Sequence, residues 1–214
     1  MTRLVIFDFD GTLADTAAWF VGQLTSLAAA HGFRAPSREE IEVLRGRPTR
    51  EVIAALKVKP WKMPGIANDL RRRMAADIGG VRLFDGVPEM IRALRRIGLC
   101  IAVVSSNSEE NVRRVLGTSA DLIDAYDCGA SLFGKAAKFK RVMRDLLAEP
   151  SATLAVGDEA RDIEAARAVG ARAVAVTWGY ATADALAAAR PNAVVENVAE
   201  LVTACIAVPP ASER

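Results

Sequence analysis

Leu4-Val5-Ile6-Phe7-Asp8-Phe9-Asp10-Gly11 is the stretch on which the reading of this sequence turns. Four apolar residues follow one another without polar alternation and then break into Asp-Phe-Asp-Gly. A run that is apolar at every position suits a strand covered on both faces, the environment of a parallel sheet. The Asp-Gly pair then ends it in a turn. The pattern returns at Leu99 to Val104 (ending in Ser105-Ser106-Asn107), at Thr153 to Val156 (ending in Gly157-Asp158), at Ala173 to Val176 and, more weakly, at Ala193 to Val195. Helical patterns lie between these runs, at Val87 to Ile97, Ser108 to Leu116, Lys138 to Leu147, Asp162 to Val169 and Ala183 to Ala189. Strand, polar turn and helix in alternation predict an α/β fold with a doubly wound, Rossmann-like parallel sheet.

Thr16 to Leu83 interrupts that alternation. It shows helical patterns at Thr16 to His31, Ser37 to Leu44, Arg50 to Leu56 and Ile66 to Ile78, and no strand. Ser37 with Glu40 three residues on reads as a capping box, and Pro60, Pro64 and Gly65 punctuate the middle. The expected organisation is an α/β core of residues 1–15 and 84–207, an inserted all-helical lobe of residues 16–83, and a frayed tail of residues 208–214. The lobe is expected over the carboxyl ends of the strands, where open α/β sheets bind ligands.

Composition removes several function classes. The chain has 214 residues, room for one large domain or a core with a smaller lobe. Hydrophobic residues make up 51% and charged residues 25%, which supports a sizeable core. Lys plus Arg number 28 against 26 Asp plus Glu, so no charge excess points to nucleic acid or an anionic membrane. With His31 as the single histidine, a multi-histidine zinc site is excluded, and His31 itself reads as an ordinary helix-end residue before Gly32. Cys100, Cys128 and Cys205 are far apart and form no disulfide or zinc pattern. No signal peptide is expected, because Asp8 cuts the first apolar run, and no segment is long enough to span a membrane; a cytoplasmic location is the expectation.

The chemistry must therefore run on carboxylates, hydroxyls and basic groups, and these collect where the strands end. Asp8 and Asp10 follow the first run, Ser105 the second, and Asp158 the third, with Asp162 four residues on; Gly134-Lys135 precedes a helix. In a parallel sheet these positions converge on one edge. Carboxylates so close repel one another, and a cation is the natural means of keeping them ionised. Oxygen donors without His or Cys favour a hard ion, Mg²⁺ first.

Asp8-Phe9-Asp10-Gly11-Thr12-Leu13-Ala14-Asp15-Thr16 resembles the first motif of the haloacid dehalogenase (HAD) superfamily of hydrolases. Ser105 resembles the second motif, Lys135 the third, and Gly157-Asp158-Glu159-Ala160-Arg161-Asp162 the fourth, in the family's order and across nearly the whole chain. The helical insert is similar to the C1 cap of the phosphoglycolate phosphatase-like branch, as is Thr177-Trp178-Gly179-Tyr180. The resemblance implies a Mg²⁺-dependent phosphatase acting on a small phosphorylated metabolite. It makes Asp8 the nucleophile that forms an aspartyl-phosphate, Asp10 the acid and base, and Ser105 and Lys135 donors to the phosphoryl oxygens. Asp8, Asp10 (by its carbonyl), Asp158 and Asp162 would hold the metal. Thr12, Ser106, Asn107, Arg45 and Arg47 would contact substrate.

Two departures and several bland readings stand beside this. Glu159 adds a carboxylate where related sequences often have a small hydroxyl residue. Lys135 is followed by Ala136-Ala137 rather than proline, which leaves Lys138 as an alternative phosphate-contacting lysine. Asp8 and Asp10 also fit a plain turn, Asp162 a helix N-cap, Arg45 and Arg47 a solvated face, Arg71-Arg72-Arg73 a surface charge run, and Trp19, Trp61 and Trp178 packing. A phosphomutase acting on a sugar phosphate, or a non-catalytic regulatory protein on the same scaffold, are the alternative functions. Asp10 argues against both the binding protein and a carbon–halogen hydrolase. Neither the particular phosphate ester nor the oligomeric state is legible.

Overall fold

A computed structural model of the chain describes residues 2–47, 49–129 and 134–207; Pro48 and the tail from Val208, expected to fray, lie outside the described residues. In chain order the strands are β1 (Leu4–Phe7), β2 (Ala14–Asp15), β3 (Arg82–Leu83), β4 (Cys100–Val104), β5 (Ala125–Asp127), β6 (Thr153–Gly157), β7 (Arg172–Val176) and β8 (Ala193–Val195). The α-helices are α1 (Ala17–His31), α2 (Arg38–Arg45), α3 (Thr49–Ala55), α4 (Met63–Ala76), α5 (Val87–Arg96), α6 (Glu109–Leu116), α7 (Lys135–Asp145), α8 (Ala160–Ala168), α9 (Ala183–Ala188) and α10 (Val198–Ala207).

Among the described residues six strands form one parallel sheet in the order β5-β4-β1-β6-β7-β8. Side-chain alternation divides each apolar run between two buried faces. Val5, Phe7, Ile101, Val103, Leu154 and Val156 pack on one face beneath α5, α6 and α10. Leu4, Ile6, Ala102, Val104 and Ala155 pack on the other beneath α7, α8 and α9. This two-sided cover is why the strands read as unbroken hydrophobic runs. From β1 the chain moves out to β4 and β5 on one side, then returns to β6 on the other, so the strand order reverses at β1. Phe7 lies opposite both Val103 and Val156, and the ends of β1, β4 and β6 are level at this switch point.

The sequence reading is corrected in several places. The segment from Thr16 to Leu83, read as free of strands, ends in β3, which pairs antiparallel with β2. Two residues are too few to carry a periodic signal; the pairing Ala14–Leu83 and Asp15–Arg82 closes the base of the inserted helices. β5 was not expected, because Ala125-Tyr126-Asp127 has no apolar run; its position at the sheet edge is set by register with Ala102 to Val104. Helix α10 was likewise missed, although Leu201 and Cys205, one turn apart, bury their side chains. Helix α7 begins at Lys135 rather than Lys138, directly after Gly134, since Lys-Ala-Ala is itself good helix-forming sequence.

The inserted helices follow their local signals more closely. Ser37 and Glu40 make the reciprocal capping box at the start of α2, and Gly32, at φ +62°, ends α1 after His31. Helices α1 and α4 are joined through Asp69, which accepts from Arg72 at 2.8 Å and Arg73 at 3.1 Å and lies 3.1 Å from His31 Nε2. Arg73 also reaches Gln23 and Ser26 on α1. It is therefore a crosslink between helices and not part of a plain surface run. Trp61 departs from the packing reading in the other direction: it is 72% exposed, with Lys59 over its ring.

Candidate active site

Asp8 is the first residue beyond β1, and its N–H still donates to Val156 on β6 at 2.9 Å. The strand register thereby fixes its backbone. Its carboxylate is held from two directions: Phe9 N–H donates to Oδ1 at 2.8 Å, and Lys135 Nζ lies 2.7 Å from Oδ2. Lys135, at the first turn of α7, also pairs with Asp162. Burial works to lower the basicity of Lys135, but the Asp162 and Asp8 carboxylates outweigh it and hold the ammonium above its usual value. Asp8, Ser105, Ser106, Lys135 and Arg161 line a small pocket at the ends of β1 and β4.

Carboxylate oxygens of Asp8, Asp158 and Asp162 lie within 4.8 Å of one another, all three residues buried. Asp158 is oriented through both oxygens: Thr12 Oγ1 donates to Oδ1 at 2.7 Å and Tyr180 N–H to Oδ2 at 2.8 Å. Asp162 is at the third position of α8, where its Oδ2 accepts from Glu159 N–H at 3.0 Å. Close packing here demands glycine. A Cβ at Gly11 or Gly179 would fall 2.3 Å from the Asp158 carboxylate, and one at Gly157 would fall 2.2 Å from Asp162 Oδ2. Burial, then the charges of Glu159, Asp8 and Asp162, pushes Asp158 well above the ordinary carboxylate range. Asp162 is raised as well, by burial, against the opposing pull of Lys135. Three buried carboxylates with oxygens so close together fit a hard divalent cation with oxygen ligands, and Mg²⁺ suits the set.

Asp10, on the turn after β1, is tied to the pocket through Ser105. Ser105 Oγ donates to its Oδ2 at 3.3 Å and Asn107 Nδ2 to its Oδ1 at 3.3 Å. Burial, with the Asp8 charge beside it, pushes the Asp10 carboxyl up to about 6, against the donors Asn107, Ser105 and Thr16. Two carboxyls two residues apart thus differ in environment: one is pinned beside an ammonium, the other is kept readily protonated. Such a separation suits a nucleophile and a proton carrier.

Several expected contacts fall elsewhere. Thr12, expected at the substrate, is buried with its hydroxyl on Asp158. Arg45, also expected at the substrate, donates from α2 to the carbonyls of Tyr180 at 3.0 Å and Gly179 at 3.2 Å. Arg47 pairs with Glu51 on an exposed face. The N–H of Asn107, expected to point at phosphate, donates to Ser105 Oγ at 2.9 Å. Ser106 does line the pocket. The two lysines separate cleanly: Lys135 faces Asp8, whereas Lys138 Nζ donates to the carbonyls of Ser105, Asp127 and Gly129 at 2.9, 3.0 and 3.0 Å.

Sequence reasoning missed two contributors. Tyr180 fixes Asp158 by its N–H, meets Thr16 at 2.8 Å through its hydroxyl and packs edge-on against Phe20. Its signal was the polar Thr-Trp-Gly-Tyr turn after an apolar strand. Arg161, in the fourth motif, lines the pocket beside Asp8; a helix-start arginine gave no cue.

Comparison with known proteins agrees with this geometry. Residues 5–176 match the profile of the haloacid dehalogenase-like hydrolases. A phosphoglycolate phosphatase of Synechococcus elongatus is 32% identical over 94% of this chain and 96% of its own length. Tyrosine-protein kinase PtkA of Mycobacterium tuberculosis is 30% identical over 85% of this chain, which covers 64% of that longer protein. Among solved structures, a haloacid dehalogenase-like hydrolase of Streptococcus pneumoniae superposes with a TM-score of 0.78 at 18% identity, covering 94% of this chain and 97% of that one. On its motifs, its fold and these matches, the chain belongs to the haloacid dehalogenase-like hydrolase family, among its phosphatases.

Proposed function

We propose that this protein is a Mg²⁺-dependent phosphomonoesterase for a small phosphorylated metabolite, working through an aspartyl-phosphate on Asp8. The observation that carries the reading is the setting of Asp8. Its Oδ1 is fixed by Phe9 N–H, its Oδ2 is beside Lys135, and both face a small pocket backed by Asp158 and Asp162. A carboxylate so oriented is placed to attack phosphorus, and covalent capture divides one difficult displacement into two easier ones.

Asp10 protonates the departing alkoxide, and then takes a proton from the water that hydrolyses the aspartyl-phosphate. Its raised pKa, set by burial and by Asp8, suits both duties. Ser105 and Asn107 hold the Asp10 carboxyl in place between the steps. Lys135 offsets charge on the phosphoryl oxygens and on Asp8 together, and one positioned charge of this kind is worth about 3 kcal/mol in a transition state. Asp8, the Asp10 carbonyl and Asp158, with Asp162 in support, would hold Mg²⁺, which would supply the charge that relieves repulsion between carboxylate and phosphate. Residues 16–83 act as a cap that closes over the ester and excludes bulk water.

The small pocket and the Synechococcus relative favour a compact ester such as phosphoglycolate. Release of inorganic phosphate from a panel of small esters, with Mg²⁺ or with EDTA, tests the reading on wild type and Asp8→Asn. Metal-dependent release that falls to background in Asp8→Asn is expected. A folded wild type that releases phosphate from no panel member overturns it.

A further inference from the structure

We infer that Arg161 is a substrate-binding residue of this site, holding a non-bridging oxygen of the phosphoryl group, and that Glu159 positions it. The inference rests on the phosphatase reading above and adds to it a phosphate contact outside the residues expected from the sequence. Arg161 is in the first turn of α8, where the partial positive charge of a helix start disfavours a cation. Nothing in the helix itself calls for arginine there. The side chain nevertheless folds back against the pocket, only 28% exposed, instead of extending into solvent.

Its donors show what it lacks. Arg161 Nη2 lies 2.6 Å from Glu159 Oε1, which anchors one edge of the guanidinium. Arg161 Nε is buried and has no hydrogen-bond partner among the described residues. A buried N–H left without an acceptor is unfavourable, and an acceptor arriving with the ligand would satisfy it. The other cations at the pocket are committed: Lys135 to Asp8 and Asp162, Lys138 to three carbonyls. Arg161 is therefore the pocket cation among the described residues with donor capacity in reserve. Guanidinium does not titrate in proteins, and its planar fork matches phosphate oxygens, so its task is holding and not proton transfer. This also gives the unexpected Glu159 a role: it aims the guanidinium.

The test compares wild type, Arg161→Met, Arg161→Lys and Glu159→Gln by calorimetric binding of inorganic phosphate in Mg²⁺ buffer, alongside kcat and KM on small esters. Arg161→Met is expected to weaken phosphate binding about 10-fold to 100-fold and to raise KM in parallel, with partial recovery in Arg161→Lys and an intermediate loss in Glu159→Gln. Unchanged phosphate affinity in a folded Arg161→Met overturns the proposal and leaves Arg161 as charge balance for the carboxylates. A KM increase limited to esters with a second anionic group, at unchanged phosphate affinity, overturns the phosphoryl assignment as well. If wild type hydrolyses no ester yet binds phosphate in an Arg161-dependent way, the phosphatase reading fails and the contact stands.

Discussion

Lys135 and Lys138 are three residues apart on one helix and carry the same charge, yet they meet different surroundings. The sequence favours Lys135, which directly follows Gly134, and keeps Lys138 as the alternative because Ala136-Ala137 stands where proline is common. The structure separates their contacts: one faces Asp8 and Asp162, the other closes a ring of carbonyls from the ends of β4 and β5. Lys135→Met is expected to abolish phosphate release. Lys138→Met leaves buried carbonyls without a donor and is expected to cost about 2–4 kcal/mol of folding free energy. For a chain of this size that is a Tm drop on the order of 4–16 °C, measurable by calorimetry beside the activity assay. The reverse pattern would exchange their roles. Asp8, Asp10 and Asp158 were legible because short apolar runs end on them. Thr12 and Tyr180 were not, because their partner Asp158 is remote in sequence and only the fold brings them together.

Elements with a strong periodic signal were read to within a few residues, whereas β2, β3 and β5 were invisible. They have two or three residues each and are defined by their partners, so local pattern carries almost nothing about them. The inserted helices show the same division. The capping box of α2 is written locally, but the tie between α1 and α4 is not, since it depends on His31 and Asp69 meeting across the lobe. Hydrogen bonds from Arg72, Arg73 and His31 hold the Asp69 carboxyl well below the ordinary carboxylate range. A carboxyl with a depressed folded-state pKa contributes stability that is fully present above its ordinary value, near 3.8, and is lost as pH falls below it. Wild type is therefore expected to exceed Asp69→Asn in resistance of the 16–83 segment to proteolysis at pH 6 to 7. That margin should narrow below about pH 4. A margin independent of pH would mean that Asp69 acts through packing and not through its charge.

At the scale of the molecule, the sheet sets the geometry of the site and the inserted helices meet it through few contacts. The switch point at β1 delivers Asp8, Ser105 and Asp158 from three adjacent strands, whose registers are locked by two buried faces. Helices α1 to α4 connect to that edge through β2 and β3 and through a few polar contacts, of which Arg45 is the most direct. Arg45 binds the carbonyls of Gly179 and Tyr180, and the N–H of Tyr180 holds Asp158 Oδ2. One short loop thus links the lobe to Asp158, one of the three clustered carboxylates. Because the Arg45 side chain is 41% exposed, its removal should change global stability little. Arg45→Ala is expected to lower kcat/KM about 10-fold for every ester in the panel, whatever its other charges, because the loop and not the ligand loses its partner. Hydrogen exchange should rise together in residues 38–45 and 178–181. A KM defect confined to substrates with a second anion, with exchange unchanged in both segments, would return Arg45 to the direct substrate contact first expected of it.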